Sequence, residues 1–313
     1  MTRFVTNSAA TLLPAGVTVL ERGWLSSNNV ILRGPFGTAI VDSGYCTHSA
    51  QTVELVARAA STVPVSNVVN THLHSDHCGG NSALQARWPM ARTLIPPGLA
   101  PAVRCWDPVA LTYAPTGQEC PPFRIDGTLS AGDVIELGEM SWQVHAAPGH
   151  DPHSIMLFEP ESRTLISADA LWENGFGIVF PELEGEEAFS DVSATLDQIE
   201  ALAPKVVIPG HGAVFSDVSA ALARARSKLA TYLAQPEKHA THAAKVLVKF
   251  KLLELQSVPL ADLEAWSERT SYFAMVWQRW FSTRPQRDWM AAILADLVRI
   301  GAVRMDGQRV CNV

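Results

Sequence analysis

Three histidines and one aspartate stand within six positions of the segment THLHSDHCGG, residues 71–80. They follow the apolar run VSNVVN at 65–70, which predicts a buried strand. His72 and His74 are two residues apart, so on an extended chain both side chains point to the same side. Imidazole nitrogens and carboxylate oxygens are ligands of zinc, iron and manganese. The segment therefore indicates a metal site rather than an ordinary polar loop.

Further candidate ligands follow later strands. His150 in APGHD, Asp169 in SADAL and His211 in PGHGA each come directly after a predicted strand. Loops at strand ends are where α/β folds place their functional groups. One ion would use the first two histidines of the segment and a further histidine, and a second ion could use Asp76 and His77. A bridging carboxylate would offset the repulsion between two dications held close together.

The elements that must position these residues are of α/β type up to about residue 214. Short β-rich runs alternate with segments of helical periodicity, and four of the strands end in His or Asp. The predicted strands are 16–20, 28–34, 38–44, 65–70, 133–138, 141–149, 153–159, 164–169 and 205–209, and the predicted helices are 49–61, 79–88 and 188–202.

The remaining chain predicts a helical domain. After five helices it ends in a small hairpin with Asp306-Gly307 at the turn, an order that resembles a winged-helix module. The chain is acidic before residue 213, with 10 Lys and Arg against 22 Asp and Glu, and mildly basic after it, with 14 against 9. The predicted helices are 217–235, 239–256, 260–269, 271–281 and 287–301.

Bulk composition narrows the classes of function. The chain has 313 residues, 47% of them hydrophobic and 18% charged, as expected of a globular protein with a sizeable core. Its net charge of −7 argues against nucleic-acid or anionic-membrane binding. We find no targeting segment and no apolar run long enough to span a membrane. Five cysteines without a C-x-x-C pair predict a reducing, cytoplasmic location.

The motifs THLHSDHCGG, PGHD, SADAL and IPGHG resemble the metal-binding motifs of the metallo-β-lactamase fold superfamily, in its glyoxalase II and lactonase-like branch. The resemblance covers about residues 15–215. It implies a four-layer αββα catalytic domain over 1–215, followed by a mostly helical domain over 216–313 that is winged-helix-like from about 236. It also implies a dinuclear site in which one metal takes His72, His74 and His150, the other takes Asp76, His77 and His211, and Asp169 bridges them.

Single residues separate the branches of this superfamily. β-Lactamases of the commonest type carry Arg where His77 stands and use a cysteine ligand, whereas Cys78 is not at that ligand's place. Another lactamase type lacks an equivalent of Asp169. Flavodiiron oxygen reductases carry Glu at the place of His74. The resemblance therefore favours glyoxalase II, lactonase and arylsulfatase-like members, and mononuclear-iron sulfur dioxygenases of the same fold stay an alternative.

The activity implied is hydrolysis of an ester, thioester or lactone of a small molecule by a hydroxide activated by two divalent metals. Two ions lower the pKa of a shared water from 15.7 toward about 7. Asp76 is expected to orient this nucleophile or move its proton. Zinc is the expected metal, with iron or manganese as alternatives, because the ligand set tolerates all three.

Residues near the motifs have two interpretations each. Asp42 in IVDSG matches a family aspartate and would orient a ligand histidine, or it forms a turn before Gly44. His153 would contact substrate, or it begins a strand. The loop after the bridging aspartate would place an apolar wall of Trp172, Phe176 and Phe180 beside the substrate, or these side chains only pack the loop.

Two other classes of function remain open. Related enzymes with a winged-helix tail include an endoribonuclease of single-stranded RNA, in which case the basic C-terminal domain would bind phosphates. A non-catalytic member would keep its metals and bind a signal molecule. The expected partner is a small-molecule substrate, and the C-terminal domain would shape its pocket or form a homodimer surface.

Overall fold

The computed structural model describes residues 2–6, 13–35 and 37–313, so the N-terminal stretch examined for a targeting segment falls partly outside it. Two β-sheets pack face to face, and helices cover the outer side of each sheet. The buried residues of both inner faces form one apolar core, in which Val30, Val41 and Val69 of one sheet meet Leu157 and Ile166 of the other. The four-layer αββα sandwich predicted from the sequence is confirmed.

The first sheet has seven strands in chain order. Its first four strands pair antiparallel and the remaining pairs are parallel, so helical crossovers connect the later strands. The strands are β1 (Arg3–Thr6), β2 (Val17–Glu21), β3 (Asn29–Arg33), β4 (Thr38–Val41), β5 (Val65–Val69), β6 (Arg92–Ile95) and β7 (Gly127–Thr128). The helices of this part are α1 (Ser49–Ala60), α2 (Ser75–Cys78), α3 (Asn81–Arg87), α4 (Ala100–Cys105) and α5 (Tyr113–Thr116).

The outer face of the first sheet is covered by α1 and α3. Val56 of α1 and Leu84 of α3 are fully buried against Ile31, Ile40 and Val68 of the sheet. The helical spacing of α1 in the sequence predicted this face, because its apolar residues recur once per turn. Helix α2 is a single short turn that carries Asp76 and His77.

The second sheet has five strands in the order β12-β11-β10-β9-β8. Strands β9 and β11 both run antiparallel to β10, and β12 runs parallel to β11. The C-terminal ends of β9, β11 and β12 therefore lie at one edge of the sandwich. The strands are β8 (Val134–Leu137), β9 (Met140–Ala146), β10 (Ile155–Glu159), β11 (Thr164–Ala168) and β12 (Val206–Pro209).

Three helices follow the site-bearing strands. Helix α6 (Phe180–Glu184) is short, and α7 (Phe189–Leu202) and α8 (Val218–Ala234) cover the outer face of the second sheet. Leu196 of α7 and Ala225 of α8 belong to the same apolar cluster as Leu165 and Val207 of that sheet. Helix α8 therefore packs against the second sheet, and the domain boundary at 216 stays a prediction.

The C-terminal elements are held together by an apolar cluster of their own, separate from those that pack against the two sheets. The first helix is followed by a short strand, three helices and a hairpin, which is the element order expected of a winged-helix-like module; that assignment stays a prediction. The elements are α9 (Pro236–Leu255), β13 (Ser257–Pro259), α10 (Leu260–Arg269), α11 (Ser271–Trp280), α12 (Gln286–Arg299), β14 (Val303–Asp306) and β15 (Arg309–Asn312). In the part of the chain that the structure describes, no helix has the length and apolar character needed to cross a bilayer.

The turn of the final hairpin lies one residue later than predicted. Asp306 pairs with Arg309, so the two-residue loop is Gly307-Gln308 rather than Asp306-Gly307. Gly307 has a φ of +57°, a left-handed conformation that glycine adopts at little cost. The glycine was correctly placed in the turn, and the aspartate belongs to the strand.

Candidate metal centre

The first group of predicted ligands converges at the edge of the sandwich. The Nε2 of His72 lies 3.0 Å from the Nδ1 of His74, which lies 2.8 Å from the Nε2 of His150. His72 and His74 follow β5, and His150 follows β9 of the other sheet. The three ring nitrogens lie within 4.8 Å of one another, a spacing that could hold a metal ion.

A second group forms beside the first. The Nε2 of His211 lies 3.1 Å from the Oδ2 of Asp76, and these atoms and a ring nitrogen of His77 lie within 4.8 Å of one another. Asp76 and His77 sit on the short helix α2, and His211 follows β12. The two sheets thus contribute to both groups, and the site depends on how they pack against each other.

Asp169 stands between the two groups. Its Oδ2 lies 3.3 Å from the Nε2 of His150 and 3.9 Å from the Nε2 of His211, and its Oδ1 lies 3.5 Å from the Nε2 of His77. Asp169 follows β11, whose last residue, Ala168, has a strained left-handed φ of +48°. The carboxylate of Asp169 is therefore close to both groups of candidate ligands.

Glycine is required where the chain passes this carboxylate. A Cβ at Gly210 would lie 2.2 Å from the Oδ1 of Asp169. The PGHG sequence therefore needs its first glycine for close approach to the aspartate, and its histidine as a candidate ligand.

Asp42 lies directly behind the second group. Its Oδ2 accepts a hydrogen bond from the Nδ1 of His77 at 2.7 Å, and its two oxygens also accept bonds from the backbone N–H and hydroxyl of Thr71 at 2.9 and 2.8 Å. Asp42 has a φ of +59° at the end of β4, a conformation that Asp tolerates better than most residues. The carboxylate thus fixes the proton on Nδ1 and turns the Nε2 of His77 toward the other ligands.

The surroundings of the Nε2 of His77 show whether the residues fit a metal. This nitrogen is buried, and among the described residues it has no hydrogen-bond partner. A buried polar atom without a partner is costly, and a metal ion is one group that would satisfy it. The Nδ1 of His150 likewise donates to the carbonyl of Ile178 at 2.6 Å, which leaves its Nε2 as an acceptor facing His74. The donor set therefore fits divalent metal ions.

The shifted pKa values of three groups at the centre agree with this fit. Burial and the neighbouring histidines lower the pKa of His72 well below its ordinary value, and burial and His74 lower that of His150 to about 4. Burial also lowers the pKa of His77, but three nearby carboxylates outweigh it and raise this pKa well above normal. Burial raises the pKa of Asp169, but surrounding histidines outweigh it and lower the value well below normal. His72 and His150 are thus neutral and Asp169 is ionised, as metal binding requires, whereas His77 would release a proton when a metal binds.

Aromatic side chains flank the centre on two sides. Phe180 places its ring 4.9 Å from that of His74, and Trp172 lies 5.5 Å from that of His211 and donates from Nε1 to the Oδ1 of Asp169 at 3.2 Å. Trp24, which the motifs do not indicate, stacks on His211 at 5.4 Å with 57% of its surface exposed. It is a lone tryptophan in a loop, so no periodicity or motif in the sequence marks it.

Three other residues highlighted by the sequence are not part of either ligand group. Phe176 is 1% exposed and packs in the core under α7 and α8, where it lines a small void together with His150 and Asp169. His153 is exposed, and its ring lies against Gly98. The Sγ of Cys78 lies 3.1 Å from the hydroxyl of Tyr113, on the far side of α2.

Comparison with curated proteins gives distant relatives. A hydroxyacylglutathione hydrolase from Brucella anthropi is 26% identical over 148 residues, covering 47% of this chain and 45% of that protein. Another from Francisella tularensis subsp. holarctica is 32% identical over 125 residues, covering 40% and 41%. The chain thus matches less than half the length of these relatives.

Solved structures and a family profile match a larger part of the chain than these relatives do. A beta-lactamase domain protein from Burkholderia ambifaria aligns with a TM-score of 0.60 at 24% identity, over 87% of this chain and 92% of that one. A metallo-beta-lactamase family protein from Thermus thermophilus aligns with a TM-score of 0.58 at 21% identity, over 97% and 100%. These likenesses show the fold. The profile of the Metallo-beta-lactamase superfamily matches residues 22–211, which include every candidate ligand, and the chain belongs to this superfamily.

Proposed function

We propose that the chain is a metal-dependent hydrolase that cleaves an ester, thioester or lactone of a small molecule, using two divalent metal ions. The observation that carries this proposal is the position of Asp169, whose Oδ2 lies 3.3 Å from His150 of one ligand group and 3.9 Å from His211 of the other. A single-ion site has no need of a carboxylate between two separate ligand groups. The distant similarity to hydroxyacylglutathione hydrolases supports a hydrolytic reaction.

The ligand assignment follows from the two groups. His72, His74 and His150 would hold one ion, Asp76, His77 and His211 would hold the other, and Asp169 would bind both. Zinc suits these nitrogen and oxygen ligands, and iron and manganese suit them also. Such a pair of ions supplies a water nucleophile at neutral pH and polarises the scissile carbonyl.

Residues of the chain itself would orient and hold the reactants. The side chain of Asp76 is 15% exposed, so one face of this carboxylate reaches the cleft, where it would orient the attacking water and hold its proton. Trp24 and Trp172 at one end and Phe180 at the other present apolar surfaces to a substrate. We propose that these rings bind apolar parts of the acyl and leaving groups and exclude water from them.

A substrate panel tests the proposal. Zinc-loaded full-length chain would be assayed against an acyl thioester, a lactone, a simple ester, nitrocefin and single-stranded RNA. We expect turnover of at least one of the first three and its loss by several orders of magnitude in Asp169→Asn, because that change removes the shared negative charge. Turnover of RNA alone would favour an endoribonuclease, and binding without any turnover would favour a signal-binding member.

A sulfur dioxygenase would show a different pattern. It would take up oxygen with a persulfide substrate and depend on one iron per chain. Oxygen consumption by iron-loaded protein, with no hydrolysis of the ester, thioester or lactone, would therefore contradict the proposed function.

A further inference from the structure

Side chains of three later helices bind the backbone of residues 176–180, a segment that follows the candidate bridging aspartate and ends at the first residue of α6. Each contact comes from a different helix, namely α8, α9 and α11. The three contacts are Lys228 Nζ to the Phe176 oxygen at 2.9 Å, the Val179 nitrogen to His239 Nε2 at 3.1 Å, and Tyr272 Oη to the Phe180 oxygen at 3.2 Å. The C-terminal part of the chain thus fixes the path of this segment.

One of these contacts acts on the same peptide group as a candidate metal ligand. The carbonyl of Ile178 accepts the bond from the Nδ1 of His150, and the N–H of the same peptide, which belongs to Val179, donates to His239. The described chain has no cis peptide, so the C=O and N–H of this peptide point in opposite directions within one rigid plane. A rotation of the peptide that breaks the hydrogen bond to His239 therefore also displaces the carbonyl that binds His150.

We propose that His239 is a positioning residue for metal binding: it orients the peptide between residues 178 and 179, and this peptide orients His150. The inference rests on the proposed function, since it takes His150 as a ligand. It also gives the C-terminal helices a defined role at a site that lies in the sandwich. An orienting partner of a ligand histidine contributes to metal affinity without touching the metal.

The surroundings of His239 suit this role. The residue is 2% exposed and is enclosed by the rings of Phe189 and Tyr232 at 5.3 and 4.9 Å. A backbone N–H can only donate, so the Nε2 of His239 must be unprotonated. Burial, with smaller effects of His242 and Lys228, lowers the pKa of His239 to about 3, which keeps it an acceptor at neutral pH.

Close packing makes the orientation of the His150 ring sensitive to the path of the segment 176–180. A Cβ at Gly177 would lie 2.4 Å from the Nδ1 of His150, so the segment runs directly against the imidazole ring. A shift of the peptide by a few tenths of an ångström would therefore move the ring, because no free space separates them.

The test compares three substitutions in the full-length chain. His239→Leu removes the acceptor, and His239→Gln keeps an acceptor oxygen near the position of Nε2. His242→Leu is the control, because His242 lies on the same helix, is partly buried and is not one of the three side chains that bond the backbone of residues 176–180. Zinc affinity would be measured by competition with a chromogenic chelator, together with the melting temperature of the metal-free protein.

We expect zinc affinity to fall by about 10- to 100-fold in His239→Leu, as for other orienting partners of ligand histidines, and to recover in His239→Gln. His242→Leu should lower the melting temperature without changing zinc affinity. Equal zinc affinity in the wild type and in His239→Leu would overturn the inference and leave the proposed function intact. A wild-type chain that binds no metal would overturn both.

If His239→Leu does not fold, a second comparison still tests the inference. His239→Asn is one carbon shorter than His239→Gln and cannot bring its oxygen to the same place. Tighter zinc binding by the Gln variant than by the Asn variant supports the inference, and equal binding by the two contradicts it.

Discussion

The buried carboxylate of Asp42 lies 2.7 Å from the Nδ1 of His77, and it decides which nitrogen of that histidine faces the ligand cluster. Because a carboxylate only accepts hydrogen bonds, Nδ1 carries a proton, and Nε2 is the nitrogen that would give its lone pair to a metal. The sequence left Asp42 with two interpretations, an orienting residue or a turn former. Its contacts with His77 and Thr71 favour the first.

Substitution of Asp42 by Asn should therefore weaken metal binding with little change in backbone. Asn tolerates the left-handed φ of +59° at this position, but its amide can donate toward His77 and favour the wrong tautomer. We expect metal affinity to fall by about 10- to 100-fold, measured by titration with zinc. Asp126→Asn is the control, because Asp126 accepts from the backbone of Thr93 instead of a histidine. Unchanged affinity in Asp42→Asn would contradict the assigned role.

Trp24 should affect substrate binding more than stability. Its ring is 57% exposed and stacks on His211, so its removal costs the fold little, within about 0.5 kcal/mol, as is usual at the surface. We expect Trp24→Ala to raise KM for substrates with a large apolar group, and Trp24→Phe to recover most of the loss. Kinetics on a short and a long acyl ester separate the two effects. An equal loss on both substrates would argue against an apolar subsite.

Cys78 should be dispensable for chemistry. Its Sγ packs toward the hydroxyl of Tyr113 and the carbonyl of Leu73, on the far side of the helix that carries Asp76 and His77. Cys78→Ala should keep the metal content and turnover of the wild type while losing about 1 kcal/mol of stability through a small cavity. The exposed Cys105, replaced in the same way, controls for loss of a thiol. Loss of metal in Cys78→Ala alone would make the thiol a ligand.

Acid should destabilise the metal-free fold partly through His242. Burial, Lys228 and Lys245 lower its pKa to about 4, whereas in the unfolded chain it is near 6.5. Between these values the unfolded state binds a proton that the folded state does not, so stability falls as pH is lowered from 6.5 to 4. His242→Gln should reduce the slope of unfolding free energy against pH by about 1.4 kcal/mol per unit in that window. Urea unfolding at four pH values would measure it, and an unchanged slope would refute it.

Periodicity predicted much of the sandwich because its strands and helices bury one face. The runs at 38–44, 65–70 and 164–169 mark buried strands whose polar neighbours begin the site. Short edge elements carry weaker signals. Strand β7 has two residues, and β1 is largely exposed, so neither shows an apolar alternation. They form because neighbouring strands supply hydrogen bonds.

The candidate ligands could be predicted because metal chemistry restricts residue types, and motifs preserve their order along the chain. Packing around the ligands could not be predicted in the same way. Phe176 and Phe180 are four residues apart in one loop, yet the first is buried in the core and the second faces His74. The contact between His239 and Val179 joins residues 60 apart in sequence, and no local pattern encodes it.

Metal content per chain tests the central claim most directly. Full-length protein, stripped with a chelator and reloaded with zinc, would be analysed by atomic emission after removal of free metal. We expect two equivalents in the wild type and about one in His211→Ala or Asp76→Asn, because each change removes a ligand of the second group only. A single equivalent in the wild type that persists in both variants would contradict the dinuclear centre and favour a mononuclear one.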